Sequence, residues 1–299
     1  MNENIEITLL SKKDIAGYSK LEVLKKYGNV ASLTDLAIVT GGNSSNPMAY
    51  SVPDEFEKTG WFYTKSEDNG NVVTVLENGK LFSTFRYKKD GIIRPVLHFS
   101  KEDFQKVTMN RYKGYNATEE VELGEYPQSS VYPSTANVLE NEYRKETLNK
   151  TGKNYTFNAV SNTDMQSNFE GIEYPEFELG GTKYCRVRAN FGYSQQFIKL
   201  SNGLQCKAGD YVWLRVSPIK WLIDDETNTL ISKRGLLSGI RFLRLEKLYD
   251  GNFENTEMHQ YLEEIMLDEL SINVKSIEKD KEPTLSLNRS KNKFVRVIY

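Results

Sequence analysis

Residues 211–237, YVWLRVSPIKWLIDDETNTLISKRGLL, constrain the fold of this chain more than any other stretch. Val212, Leu214 and Val216 alternate with Tyr211, Trp213 and Arg215, the period of two that a pleated strand imposes on its faces. Pro218 brings no N–H to a ladder, so it predicts a break between two strand segments. IKWLI resumes the alternation, Asp224–Asn228 predicts a turn, and TLIS predicts the returning strand. The segment therefore reads as a central hairpin of an antiparallel sheet.

Local signals elsewhere agree with a mixed, β-rich chain. NIEITLL (4–10) alternates and ends at Ser11, whose SKKD has the form of a capping box. SKLEVLKKY (19–27) has helical spacing, and Thr34 is placed to cap a short helix closed by Gly41 and Gly42. WFYTKS and NVVTVLENGKLFSTFRY predict strands, with a turn at Asn78-Gly79; in GIIRPVLHFS, Pro95 argues for an edge strand or a strand end. VELGEYPQSSVYPSTANV reads as a short strand followed by loop, and LENEYRKETLNK as a modest helix. Residues 150–180 are polar, and 129–182 reads as either a linker or a surface insertion. KYCRVRANF and QQFIKLSNGLQC return to β. NTEMHQYLEEIMLDEL is the best helix signal: Asn255 or Thr256 caps it, and Met258, Tyr261, Leu262, Ile265, Met266 and Leu270 share a face. KFVRVIY predicts a terminal strand.

Composition narrows the function classes. The net charge of -2 gives no global pull toward nucleic acid or anionic membrane. The charge is uneven, however: Lys183 to Lys247 holds twelve Lys/Arg against five Asp/Glu, and 250–270 holds seven Asp/Glu and no Lys or Arg. These read as two solvated faces that can pair with each other. MNENIEITLL has neither a basic n-region nor an apolar h-region, and no apolar run reaches membrane-helix length, so a soluble, cytoplasmic protein is expected. In that compartment the two cysteines, Cys185 and Cys206, are expected as small buried hydrophobes rather than a disulfide.

Catalytic patterns are missing from the sequence. With two histidines and no Cys-x-x-Cys or His-x-x-x-His spacing, no metal site and no cofactor are expected. No G-x-S-x-G, Walker-type or G-x-G-x-x-G motif occurs, and an enzyme is not expected. A Ser-His-Asp triad is spatial and not excluded by spacing, though two candidate histidine bases argue against it, and a carboxylate pair in a cleft stays open as well. The interleaved cations and aromatics of 183–247 are the most suggestive surface. Tyr211, Trp213, Arg215, Arg241 and Arg244 are the candidate binding residues, as aromatic and Arg anchors at an interface. The competing reading makes Trp213 or Trp221 core and the cations ordinary strand exteriors.

Three segments, VELGEYPQ (121–128), SPIKWLIDDETNTLISKRGLL (217–237) and FENTEMHQYLEEIMLDEL (253–270), together resemble an uncharacterised bacterial domain family common in Firmicutes. The family's closing pieces resemble LLSKKDI (9–15), WFYTKS (61–66) and GIIRPVL (91–97), which here come first, so the motif order is permuted. Phe253, His259 and Tyr261 depart from that pattern, which has Trp, Arg and Trp there. The family is distantly similar to the C-type-lectin-like and formylglycine-generating-enzyme fold, whose catalytic cysteine pair has no counterpart in Cys185 and Cys206. The resemblance implies an irregular, mostly antiparallel α+β scaffold that binds and supplies no catalytic residues.

The expectation is thus an α+β, β-rich protein with mostly antiparallel sheets, a few short helices and one long amphipathic helix over 256–270, of lectin-like type. Residues 1–104 and 105–299 form two halves of one interlocked domain, strands 61–98 completing the sheet begun by 183–232. The expected function is a non-catalytic module binding a protein partner, with no membrane association. The alternatives are a nucleic-acid or nucleotide binder using 183–247, and a mobile-element or phage protein that inhibits a host system.

Overall fold

Tyr211–Asp224 is one strand of 14 residues, and the main sheet is arranged about it. A computed structural model of the chain describes residues 5–16, 21, 23–24, 29–42, 44–45, 58–114, 117–158, 171–190, 197–274 and 277. In chain order the longer strands are β1 (Ile5–Thr8), β2 (Phe62–Asp68), β3 (Asn71–Val75), β4 (Leu81–Thr84), β5 (Val96–Phe99), β6 (Glu119–Ser130), β7 (Asn149–Asn158), β8 (Gly171–Leu179), β9 (Thr182–Arg188), β10 (Tyr211–Asp224) and β11 (Thr229–Ser232). The helices are α1 (Lys12–Ile15), α2 (Asp35–Val39), α3 (Lys101–Val107), α4 (Pro133–Arg144), α5 (Glu257–Tyr261) and α6 (Leu267–Glu269), with a π-helical segment, Leu262–Met266, joining the last two.

The main sheet runs β1-β5-β11-β10-β9-β8-β7, with β6 also paired to β10, and every one of these pairings is antiparallel. The β-rich α+β class expected from the sequence is the class observed. β1 and β5 come from the first third of the chain and lie in the same sheet as β10 and β11. Strands β2–β4, in contrast, form a separate three-stranded sheet, so of residues 61–98 only the last few join the main one. Asn69 (φ 51°) and Gly70 (φ 78°) make the two-residue turn between β2 and β3, the left-handed pair that matches strand twist. Pro95 directly precedes β5, where its missing N–H belongs to a strand end.

Pro218 does not divide β10, because different partners take its two halves. β9 pairs with 211–215 and β11 with 221–224, and the proline falls in the interval between them. β6 spans the interval from the other side with a bulge between Glu122 and Glu125. Gln128 Nε2 donates to the carbonyl oxygens of both Ser217 and Pro218, each at 2.8 Å. The segment expected as a short strand and loop is thus the 12-residue β6 followed by α4. Likewise the polar stretch expected as linker or insertion supplies β7 and β8, whose polar residues suit the outer strands of the sheet. The expected terminal strand 293–299 lies outside the described residues, as does most of the expected helix 19–27.

The short-range capping signals hold. Ser11 and Asp14 form a reciprocal capping box, Thr34 Oγ1 accepts from Ala37 N, and Thr256 Oγ1 accepts from His259 N. Met258, Tyr261, Leu262, Met266 and Leu270 are buried against the main core, and Ile265 packs at its margin. Two residues of the acidic run are not solvated: Glu257 pairs with Arg241 and Arg244, and Glu269 is buried. A second, smaller core lies where α4 covers β8–β10, built from Leu139, Leu148, Phe177, Tyr184 and Trp213. Cys185 and Cys206 are free thiols and buried.

Candidate functional site

The second core positions a surface groove along the first half of β10. Trp213 points under α4 and its indole N–H donates to Glu140 Oε2 at 3.1 Å. Arg186, opposite Trp213 on β9, donates Nε and Nη2 to the same carboxylate at 2.9 and 3.0 Å. These donors, Arg186 first, hold the Glu140 carboxyl below its ordinary range. The Arg186 guanidinium lies 3.7 Å from the centroid of the Tyr211 ring and 4.7 Å from that of Tyr143. Tyr211 itself is 52% exposed.

Three neighbouring cavities that share lining residues form the groove. The central one, about 470 Å³, lies between the start of α4, the strand end Ser129–Val131 and the Ser201–Asn202 turn, and is also lined by Arg215 and Arg234. A cavity of about 230 Å³ shares Ser32, Ser129 and Arg234 with it and continues past Pro218 to Lys220. A third, about 490 Å³, shares Ser130, Val131 and Asn202 with the centre and runs along α4 to Tyr211. Arg215 and Lys220 project from β10, and Arg234 is brought beside them because residues 234–235 run parallel to Ser32–Leu33. All three cations are exposed, and among the described residues none has a side-chain hydrogen bond or a carboxylate partner. Asp35 is the one carboxylate lining the central cavity, and its oxygens accept from Ser130 N (2.7 Å), Ser201 N (2.9 Å) and Ser201 Oγ (2.6 Å). The central cavity therefore keeps a positive character; the third cavity is also lined by two acids, Glu140, held by Arg186 and Trp213, and Asp210. Tyr132, 71% exposed, stands at the wall of the central cavity.

The five residues singled out in the sequence separate into different places. Tyr211 and Arg215 line the groove. Trp213 touches it only from below, being 4% exposed and fastened to Glu140, so it is core of the second cluster and not an exposed anchor. Arg241 is 3% exposed and, with Arg244, holds Glu257 in the first turn of α5; neither lines the groove. Arg241 is thereby corrected to a buried structural partner of the acidic helix start; Arg244 shares that pairing, stays 39% exposed and lies outside the groove. Arg234 and Lys220 belonged to the basic stretch but had nothing in their local pattern to set them apart. Ser129, Ser130 and Tyr132 carried no signal at all.

A buried titratable cluster lies elsewhere, between β6, β7, β8 and the last helix. Glu269 accepts from Thr156 N at 2.5 Å and from Tyr126 Oη at 3.2 Å, while Glu176 accepts from Tyr155 Oη at 2.5 Å and Thr151 Oγ1 at 2.8 Å. Lys153 Nζ donates to the Glu269 carbonyl and to Ser271 Oγ, both at 2.6 Å. Neither carboxylate lines any of the three cavities. Burial is the main cause that pushes the Glu269 carboxyl up to about 7. The folded state thus keeps this proton where the unfolded chain has released it, so stability falls as pH rises from roughly 4.5 through 7. The contribution reaches ~3 kcal/mol at pH 8. Glu269→Gln is expected to be more stable than wild type at pH 8 and equal to it near pH 5, measured by urea unfolding. An equal difference at both pH values would contradict the assignment.

Comparison with protein families, curated proteins and solved structures finds no match to the chain. Among the described residues there is no helix long and apolar enough to cross a membrane and no group of three or more His, Cys, Asp or Glu arranged to hold a metal ion.

Proposed function

We propose that the chain is a non-catalytic docking module whose groove receives an acidic segment of a protein partner. The observation that carries this reading is the trio Arg215, Lys220 and Arg234, three exposed cations that line adjoining cavities and, among the described residues, have no carboxylate partner. Like charges gathered in this way repel one another, and an acidic ligand relieves the repulsion; cations kept only for solubility have no reason to converge. Exposed Tyr132 and Tyr211 add large, stiff contact area at the walls, of the kind that anchors protein interfaces. The fork of Arg186 and Glu140 fixes Tyr211 before any ligand arrives, which lowers the ordering cost of binding. The lectin-like scaffold implied by the motifs supports the same reading, since such scaffolds present binding surfaces on irregular loops.

Fluorescence anisotropy with a pool of Asp/Glu-rich peptides containing one aromatic residue tests it. Wild type is expected to bind the pool, and Arg215→Glu/Arg234→Glu to weaken binding at least tenfold. A single-stranded oligonucleotide that binds tighter than the peptides, with affinity falling steeply in salt, would replace the protein partner by nucleic acid.

A further inference from the structure

Within the groove, the central cavity differs from its two extensions in the kind of donors it presents. Arg215 and Arg234 both line it, each with a planar guanidinium that can give two parallel N–H bonds to one oxyanion. Ser32, Ser129 and Ser130 also line it. The Ser130 hydroxyl oxygen is buried and has no hydrogen-bond partner, although its backbone N–H is already engaged with Asp35. Being covered, that oxygen does not face the cavity, so the donors the cavity offers are chiefly the two guanidinium groups.

The wall is closed by the start of the 12-residue α4. Its N-cap is Tyr132, whose side chain makes no capping bond, and Pro133 follows. The first-turn N–H groups are therefore left without the side-chain acceptor that Ser11, Thr34 and Thr256 provide at other helix starts. Thr135, in that first turn, lines the cavity.

We infer that the central cavity is a phosphate subsite that takes the phosphoryl group of a phosphorylated serine or threonine within the docked acidic segment. This deepens the docking proposal and rests on it. A phosphate monoester presents three terminal oxygens and close to two negative charges, against the two oxygens and single charge of a carboxylate. Two guanidinium forks and an uncapped helix start are more donors than one carboxylate can use. They suit a dianion with three oxygens. Asp35 keeps its negative charge while three donors of the fold hold it in place, and the two arginines outnumber it in the cavity.

The test uses the full chain and three acidic peptide pools, identical except for a central phosphoserine, glutamate or serine, with inorganic phosphate as competitor. The phosphoserine pool is expected to bind at least tenfold tighter than the glutamate pool, and millimolar phosphate to remove that advantage. Arg215→Lys/Arg234→Lys keeps the charge and loses the forks. That pair is expected to lower phosphoserine-pool affinity at least fivefold, with glutamate-pool affinity within twofold of wild type; unchanged phosphoserine-pool affinity overturns the subsite. Equal affinity for phosphoserine and glutamate pools overturns the subsite and leaves the docking groove standing. No binding of any pool by well-folded wild type overturns both. An oligonucleotide of matched charge that displaces the phosphoserine pool also overturns the subsite, by assigning the phosphate to nucleic acid.

Discussion

Replacing Trp221 by alanine is expected to cost the fold about 3–5 kcal/mol, the range seen when a large buried aromatic is truncated. Trp221 is fully buried, and it sits opposite Val121 on β6 and Ser232 on β11, at the point where β10 has partners on both edges. Its indole N–H donates to the Leu123 carbonyl at 2.8 Å, so truncation also leaves that buried oxygen without its donor. An ordinary domain is stable by roughly 5–15 kcal/mol, so the variant is expected near the edge of folding. Urea unfolding should show a lower midpoint with an unchanged slope, which would place the effect in stability and not in the denatured state. Trp221→Phe keeps most of the packing and loses the N–H, and it is expected to fall between the two. A midpoint for Trp221→Ala within error of wild type would sink the claim that this residue centres the core.

Gly124→Ala is expected to destabilise by about 2–4 kcal/mol, for two separable reasons. Gly124 has φ +67°, in the left-handed region, at the bulge that lets β6 pass Pro218. A Cβ there would also stand 2.4 Å from the Leu270 carbonyl oxygen, a backbone atom that already accepts from Glu125 N at 3.0 Å. Gly152→Ala isolates the first reason: its φ is +89°, and a Cβ would meet nothing within 4 Å. That control is expected to cost about 1 kcal/mol. Equal losses at the two sites would show that contact with Leu270 contributes nothing.

Gly124 also shows why one short motif was legible only in part. In VELGEYPQ the glycine permits the bulge, Tyr126 reaches Glu269, and Gln128 covers the carbonyls beside Pro218. Each role joins the motif to a segment roughly ninety to 150 residues away, and no local periodicity encodes such a link. The strand was accordingly expected to be short, and Pro218 was expected to break its neighbour. By comparison, Ser11, Thr34 and Thr256 were readable as helix starts because a cap and the N–H it serves lie three residues apart.

The groove repeats the lesson at the level of the site. Trp213 and Trp221 stand on the same alternating strand, and their sequence context does not say which is covered. α4 and the Glu140 carboxylate decide it for Trp213, and the main core decides it for Trp221. Arg241 and Arg215 are alike as residues in a basic stretch; one meets Glu257 and is buried, and the other meets no acid among the described residues and stays exposed. The sequence by itself determined the β-rich class, the alternating strand at 211–224, the capped helix starts and the amphipathic helix, because each is written in residues a few positions apart. Only the tertiary structure decided where the sheet's second face is covered, which cations keep their charge unpaired, and that Ser32, Ser130, Arg215 and Arg234 share one cavity. Burial and charge pairing depend on neighbours that the chain brings together across long separations, and those neighbours are set by the pairing of strands.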